Sequence, residues 1–177
     1  MRKFVGFLLL AVTVFVNFCG CGQQEEVLSK YLRIHIRADS NEAQSQSVKL
    51  AVRDDVVKYL TPHLACCDTK EKAMNVLKRE LDNLKDVCDF TLKSGGFNYS
   101  ARVSLIREHY PTRDYEGFTL ESGLYDSLVI ELGEGKGDNW WCVIYPPLCF
   151  TGGENDGSGD ITYKSKIAEI IDKIING

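Results

Sequence analysis

The sequence predicts an α+β domain in which two amphipathic helices pack on one mainly antiparallel sheet of about four strands. Three observations lead to this fold class. Apolar residues recur at helical spacing in two consecutive segments of the first half of the chain. Strict alternation of apolar and polar residues marks one segment before those helices and three segments after them. One layer of two helices over one sheet would bury both apolar helix stripes and one face of the strands.

The first strand is predicted in the sequence YLRIHIRA. Apolar side chains alternate there with Arg33, His35 and Arg37, which is typical of a strand buried on one face only. The polar run that follows includes Asp39 and Asn41, whose side-chain oxygens can cap a helix or hold a turn.

Two helices are predicted next. The first extends to about Leu60, and Pro62 is expected to interrupt it because proline lacks the N–H that a helix interior needs. The second is expected to begin at a capping box formed by Asp68 and Glu71 and to end at the glycine pair 95–96.

The hydrophobic period changes from 3.6 to 2 after the second helix. FNYSARVSL and YDSLVIEL are predicted strands, and REHYPTRDYEG between them is predicted to be a loop. GEGKGDN is predicted to be a hairpin turn into a last strand from Trp140 to Tyr145, which Pro146 and Pro147 terminate.

The N-terminal segment is interpreted as a secretory or lipoprotein signal that could also stay as a membrane anchor. Arg2 and Lys3 precede an apolar run that is shorter than the roughly 20 residues of a membrane-spanning helix. Cys21 follows a glycine and is the candidate for lipidation. The expected organisation is a signal or anchor at 1–24, an α+β domain at 25–150, a flexible linker at 151–160 and an amphipathic tail at 161–177.

Composition and spacing exclude several function classes. The net charge of −4 lacks the concentrated basic face of a nucleic-acid-binding protein. No metal or other cofactor is expected, because the sequence has no C-x-x-C or H-x-x-x-H spacing and its three histidines are widely separated. The glycines of GEGKGD do not make a phosphate loop, since no Ser or Thr follows the Gly-Lys pair at a helix start.

Five of the seven cysteines follow the signal, so at least one thiol is left free or paired between molecules. Cys142 and Cys149 are predicted to form a disulfide across the Pro-Pro bend, which can bring two Cα atoms within bonding range. Two buried free thiols are the alternative. Cys88 could instead meet Cys66 or Cys67 if the two helices pack antiparallel.

Cys142 does not have the setting of a catalytic nucleophile. It falls in the middle of a strand, whereas reactive cysteines usually lie at a helix N-terminus or beside a cation. Either His35 or His109 would have to lie beside it to accept its proton. We therefore expect no catalytic residues and no enzyme.

An interaction surface is predicted around the tryptophan–proline segment. Adjacent tryptophans in a strand point to opposite faces, so one is expected in the core and one at the surface, unless loops or the tail cover both. Exposed aromatic and proline side chains in a rigid segment are frequent anchors of protein interfaces. The candidate partner-binding residues are Trp140, Trp141, Tyr145, Pro146, Pro147, Phe150, Asp39 and Asn41.

Three segments resemble the stage II sporulation protein R family of endospore-forming bacteria. They are LRIHIRADSN, KLAVRDDVVKYLTP and HYPTRDYEGFTLESGLYDSLVIELGEGKGDNWWCVIYPPLCF. Together they extend the resemblance from about Leu32 to Phe150, which is essentially the whole predicted domain.

The resemblance implies a signalling function. Members of this family are made in the forespore and exported into the space between the two sporulation membranes, where they trigger a membrane-embedded aspartic protease that faces the mother cell. That protease removes the pro-sequence of sigma-E. The expected partner is therefore the extracytoplasmic side of the protease, and the N-terminal segment could hold the protein at a membrane. An exported thiol-dependent hydrolase acting in the same space is the alternative function.

Overall fold

The computed structural model describes residues 28–115 and 118–147 of the 177-residue chain. The predicted signal, the linker and the C-terminal tail lie outside these residues. The elements, in chain order, are β1 (Leu32–Arg37), α1 (Ala43–Leu64), α2 (Lys70–Ser94), β2 (Ala101–Tyr110), β3 (Arg113–Tyr115), β4 (Phe118–Leu120), β5 (Gly123–Leu132) and β6 (Asn139–Tyr145).

The main sheet has four strands in the order β2-β5-β1-β6. The pairs β2–β5 and β1–β6 are antiparallel, and the central pair β1–β5 is parallel. Strands β3 and β4 form a separate two-stranded sheet. The predicted α+β class is confirmed, with a sheet that is mixed and mainly antiparallel.

The predicted hairpin between β5 and β6 is wrong. Both strands pair with β1, which lies between them, so the glycine-rich segment crosses over the end of β1. Alternation within a strand shows which residues share a face, but it does not show which strand lies alongside.

Helix α1 packs on the sheet through Val48, Val52, Val56 and Leu60, all buried as their spacing predicts. The expected interruption at Pro62 is wrong, because α1 continues through Pro62 to Leu64. A proline in the last turn removes one backbone hydrogen bond only, and the buried Leu64 side chain extends the same apolar stripe.

Helix α2 begins one residue later than the predicted capping box. Its N-cap is Thr69, whose side chain accepts a hydrogen bond from the backbone N–H of Lys72. Asp68 instead forms an ion pair with the Lys72 ammonium at 2.8 Å. The end at the glycine pair is confirmed, with Gly96 at a φ of 82°.

Strand β2 occupies part of the segment predicted to be a loop. It pairs with β5 along its whole length, from Ala101 opposite Leu132 to Tyr110 opposite Gly123. FNYS precedes the strand instead of forming its first half, and β3 also lies within the predicted loop. The polar residues of REHY misled the prediction, because part of them faces a second buried surface of the sheet.

The prediction that β1 is buried on one face only is wrong as well. Its apolar face packs under the helices, while Arg33 is 0% exposed and His35 is 5% exposed on the other face. Aromatic residues of β2, β5 and β6 contact these two side chains. A central strand has neighbours on both sides, so its polar side chains are covered as well as its apolar ones.

Candidate functional site

The two segments singled out in the sequence, the start of the domain and its tryptophan-rich end, lie side by side. In the register of β1 with β6, Ile34 is opposite Cys142 and His35 is opposite Trp141. The odd-numbered residues of β1 and those of β6 as far as Val143 therefore share the face turned away from the helices, whereas a register shift near Leu32 places Tyr145 on the helix side. We call this face, together with the side chains that cover it, the second face.

Trp140 and Trp141 point to opposite faces of β6, as predicted. Trp140 packs against the helix-side core with the Arg53 guanidinium 5.7 Å from its ring, and Trp141 packs against the second face. Both side chains are half-buried, so the expectation that one would be in the core and the other at the surface is wrong.

The proline end of the segment contacts the connection between the helices. The Tyr145 hydroxyl donates to the backbone carbonyl of Asp68 at 2.7 Å. Tyr145, Pro146 and Pro147 are half-buried, and the Tyr145–Pro146 peptide bond is cis. Phe150, the remaining candidate of this segment, lies outside the described residues.

Asp39 and Asn41 hold the crossing loop that leads into β6. Asp39 Oδ1 accepts from the backbone N–H of Glu134 at 2.7 Å, and Asn41 Oδ1 accepts from that of Asp138 at 2.6 Å. Neither side chain caps α1, whose N-cap Glu42 makes no side-chain cap. Both are thus structural in this chain, and their contact with a partner stays a prediction.

Cys142 is disulfide-bonded, whereas Cys66, Cys67 and Cys88 are free thiols. The idea that Cys88 meets Cys66 or Cys67 is therefore wrong. Burial raises the pKa of Cys88 to about 12, which makes this thiol inert near neutral pH. Cys149 and the lipidation candidate Cys21 lie outside the described residues, so the Cys142–Cys149 pairing stays a prediction.

Neither His35 nor His109 is placed to activate Cys142. Cys142 packs with the helix-side core, whereas His35 is on the second face. His109 is exposed on β2, which β5 and β1 separate from β6, a distance of roughly 14 Å across the sheet.

His35 is the centre of a polar network on the second face that the sequence reading missed. Its Nδ1 lies 2.9 Å from Glu108 Oε2 and its Nε2 lies 2.8 Å from Asn139 Oδ1. Arg37 joins the network through ion pairs with Glu108 and with Glu131, the second at 2.9 Å. This network ties β1 to strands β2, β5 and β6.

Arg33 lies among tyrosines on the same face. Its guanidinium carbon is 4.0 Å from the ring centre of Tyr110, 5.0 Å from that of Tyr125 and 5.7 Å from that of Tyr115. Its Nη2 donates to the Tyr115 hydroxyl at 2.5 Å. Its Nε and Nη1 atoms are buried and have no hydrogen-bond partner within residues 28–115 and 118–147.

Arg113 of β3 is a second cation beside this group. Its guanidinium carbon lies 4.0 Å from the ring centre of Trp141, and its buried Nε also has no hydrogen-bond partner in the described part of the chain. Burial raises the pKa of Tyr115, and the charges of Arg33 and Arg113 both oppose that rise. The charges of Arg33 and Arg113 therefore both favour the ionised form of the same phenol.

The signal that could have revealed this arrangement was the set of tyrosines in segments taken for loop or strand start. Tyr110, Tyr115 and Tyr125 are aromatic residues in otherwise polar surroundings, and aromatic faces are common neighbours of a buried arginine. Sequence spacing alone could not show that all three converge on Arg33, since they lie in three different strands.

The described residues hold neither a cluster of metal ligands nor a membrane-spanning helix. No group of three or more His, Cys, Asp or Glu side chains is arranged there to hold a metal ion. Within the same part of the chain, none of the helices has the length and apolar character needed to span a bilayer.

Comparison with known proteins gives one consistent family. The family model described as stage II sporulation protein R matches residues 28–155. The stage II sporulation protein R of Bacillus subtilis (strain 168) is 35% identical over 119 residues. This match covers 67% of the present chain and 53% of the relative, so the chain spans about half of the relative's length. No solved structure gives a significant match.

Proposed function

The chain belongs to the stage II sporulation protein R family, and from this we propose that it is an exported signal that activates a membrane-embedded aspartic protease. In this proposal the protein leaves the forespore, enters the space between the two sporulation membranes and binds the extracytoplasmic side of the protease. The protease then processes the sigma-E precursor in the mother cell.

The observation that carries the proposal is the pairing of the family's two segments in space. LRIHIR forms β1 and NWWCVIY forms β6, and the two strands are hydrogen-bonded neighbours. Segments more than 100 residues apart thus build one continuous surface, with His35 and Asn139 in direct contact. A continuous surface of this kind suits the binding of a protein partner better than catalysis by a single reactive atom.

A signal of this kind must bind the active state of the protease more tightly than its inactive state. Binding of equal affinity to the two states would not change the equilibrium between active and inactive protease, however tight it was. The half-buried side chains of Trp141, Tyr145 and Pro146 offer rigid area at the edge of the sheet for such contacts.

The alternative, a thiol-dependent hydrolase, receives no support from the geometry of the described residues. The sulfur of Cys142 is already bonded to another sulfur, and a nucleophile must be a free thiolate. His35 is also on the opposite face of the sheet, with both ring nitrogens facing other oxygens.

Reconstitution tests the proposal. Purified protein is added to the outer side of vesicles that display the protease together with the sigma precursor, and precursor cleavage is followed over time. We expect cleavage only when the protein is present. Equal cleavage without it would reject the proposal.

Cysteine variants separate the two functions in the same assay. A nucleophile would be lost with Cys142→Ser and kept with Cys149→Ser, whereas a cross-link would be weakened similarly by either change. For a signalling domain we expect folded Cys142→Ser protein to keep stimulating cleavage. Abolition by Cys142→Ser alone would favour the hydrolase.

A further inference from the structure

Arg33 and Arg113 carry more positive charge than the described surroundings neutralise. The arginine ion pairs of the described residues belong to other side chains, Arg37, Arg53, Arg102 and Arg107. Arg33 is 0% exposed, and two of its three guanidinium nitrogens have no hydrogen-bond partner among the described residues. In the same part of the chain, the buried Nε of Arg113 also has no partner.

A buried cation without a carboxylate is costly to maintain. Contacts with the faces of Tyr110 and Tyr125 offset part of that cost, but a cation over a ring does not satisfy the N–H donors of the guanidinium. Replacing a buried charge with an apolar side chain of similar volume is often neutral or stabilising. A guanidinium placed only to stabilise this fold would therefore be a poor choice.

Among the described residues, the side-chain acceptors that Arg33 reaches are neutral phenols. Its Nη2 donates to the Tyr115 hydroxyl at 2.5 Å. A carboxylate in the same place would form charge-assisted bonds, which are roughly twice as strong, and could accept from two nitrogens at once. The Tyr115 hydroxyl thus occupies the place that an incoming carboxylate would take.

We propose that Arg33 and Arg113, which we call the arginine cluster, bind a carboxylate side chain presented by the protein partner. This inference rests on the proposed function and adds to it the chemistry of recognition, an acidic residue on the extracytoplasmic side of the protease. The carboxylate first meets the half-exposed Arg113 beside Trp141 and then displaces the Tyr115 hydroxyl from Arg33.

The chemistry of the cluster favours a single protein carboxylate over a polyanion. The chain as a whole carries a net charge of −4, so a nucleic acid would be repelled from most of its surface. The cluster is lined by tyrosine rings and Trp141, which suit a flat carboxylate on an apolar stem better than a strongly hydrated phosphate.

The test compares two arginine variants with a matched control on the same sheet. Arg33→Met and Arg113→Met each remove one cation of the cluster and keep a long apolar side chain. Arg102→Met removes an exposed arginine of β2 that pairs with Glu131, outside the cluster. Binding to the protease in vesicles and thermal unfolding are measured for all three variants and the parent protein.

We expect Arg33→Met and Arg113→Met to weaken binding about tenfold or more, because each leaves a partner carboxylate incompletely paired. Arg102→Met should change binding by no more than about twofold. The unfolding temperature of Arg33→Met should equal or exceed that of the parent protein. Loss of folded structure in Arg33→Met would make Arg33 a structural core residue and overturn its proposed role.

The outcomes separate this inference from the proposed function. Parent protein that neither binds nor activates the protease rejects the proposed function itself. Parent protein that binds, together with Arg33→Met and Arg113→Met that bind equally well, rejects only the arginine cluster.

A second experiment identifies the ligand group. Each acidic residue in the extracytoplasmic loops of the protease is changed to its amide and combined with Arg113→Met. We expect one acidic residue whose loss adds little to the loss from Arg113→Met, the pattern of a direct pair. Strict additivity for every acidic residue, or equal competition by inorganic phosphate, would overturn the assignment to a protein carboxylate.

Discussion

Gly137 lies where the crossing loop passes closest to the start of the domain. Its backbone N–H donates to the carbonyl of Ala38 at 2.8 Å. A Cβ atom added at this glycine would lie 2.2 Å from the backbone oxygen of Ser40. Because backbone atoms cannot rotate away as a side chain can, any residue other than glycine must push the two segments apart.

Gly137→Ala should therefore lower the stability of the domain by about 2 kcal/mol or more, in the range of substitutions that force backbone to move. The urea midpoint of unfolding measures the effect. Lys136→Ala, an exposed position in the same loop, is the matched control and should leave that midpoint unchanged. An unaltered midpoint for Gly137→Ala would mean that the loop does not need this close approach.

The roles of Asp39 and Asn41 show what a sequence can predict about single residues. Their side-chain oxygens were expected to hold a turn or cap a helix, and they do hold backbone N–H groups. The groups they hold are 95 and 97 residues away in the chain. Residue chemistry predicts the kind of bond, whereas the partner depends on a strand order that local sequence does not encode.

At the scale of elements, the N-terminus of α2 shows that a shift of one residue in the helix start changes which side chain forms the N-cap. Asp68 and Glu71 have the spacing of a capping box, but Thr69 has the extended backbone of the cap, with φ −137° and ψ 155°. Thr69 Oγ1 accepts from the Lys72 N–H, and the carboxylate of Asp68 is left to the Lys72 side chain.

Thr69→Ala should cost about 0.5–2 kcal/mol of unfolding free energy, the usual loss for an N-cap side chain. Asp68→Ala tests the predicted box directly, and it should leave the urea midpoint near that of the parent protein because its ion pair with Lys72 is exposed. If Asp68→Ala lowered the stability more than Thr69→Ala, the result would support the predicted capping box and contradict the cap at Thr69.

The helices were predictable because each needs only its own sequence. The buried residues of α2 include Ala73, Leu77, Leu84 and Cys88, which recur at the helical spacing of an amphipathic segment. The strands of the main sheet were predictable in number and less so in extent and order, and the small sheet of β3 and β4 was not predicted. REHY is polar in sequence and lies in β2, where Glu108 and Tyr110 meet a second buried layer that periodicity cannot anticipate, while Arg107 and His109 are exposed.

At the scale of the whole molecule, the sheet separates two interiors of different chemistry. The helix side is an apolar core, and the second face combines buried tyrosines with arginine and histidine side chains. Burial raises the pKa of Tyr110, Tyr115 and Tyr125, with the charge of Arg33 opposing each rise. The second face therefore links folding to the protonation of its phenols.

Alkaline pH should unfold the domain through these tyrosines. A phenol whose pKa is raised by folding contributes stability that is complete below its ordinary pKa of about 10 and is lost as the pH rises through the folded value. The urea midpoint should be constant from neutral pH to about pH 9 and should then fall.

Tyr110→Phe is the variant that isolates this effect. It removes the largest of these phenol contributions, as well as the hydrogen bond between the Tyr110 hydroxyl and Ser127. We expect lower stability at neutral pH and a shallower alkaline decline than in the parent protein. Parallel declines for the two proteins would assign the alkaline transition to other groups, such as Cys88, whose pKa burial also raises.

Strand β1 is the earliest strand of the domain in the chain and is held between its two latest, β5 and β6. When the polypeptide emerges with its N-terminus first, β1 appears before either of its neighbours in the sheet. Its partners in β5 and β6 follow roughly 90 to 110 residues later. The sheet can be completed only after Tyr145 has emerged, so the domain reaches its final fold only when almost all of its residues have been made.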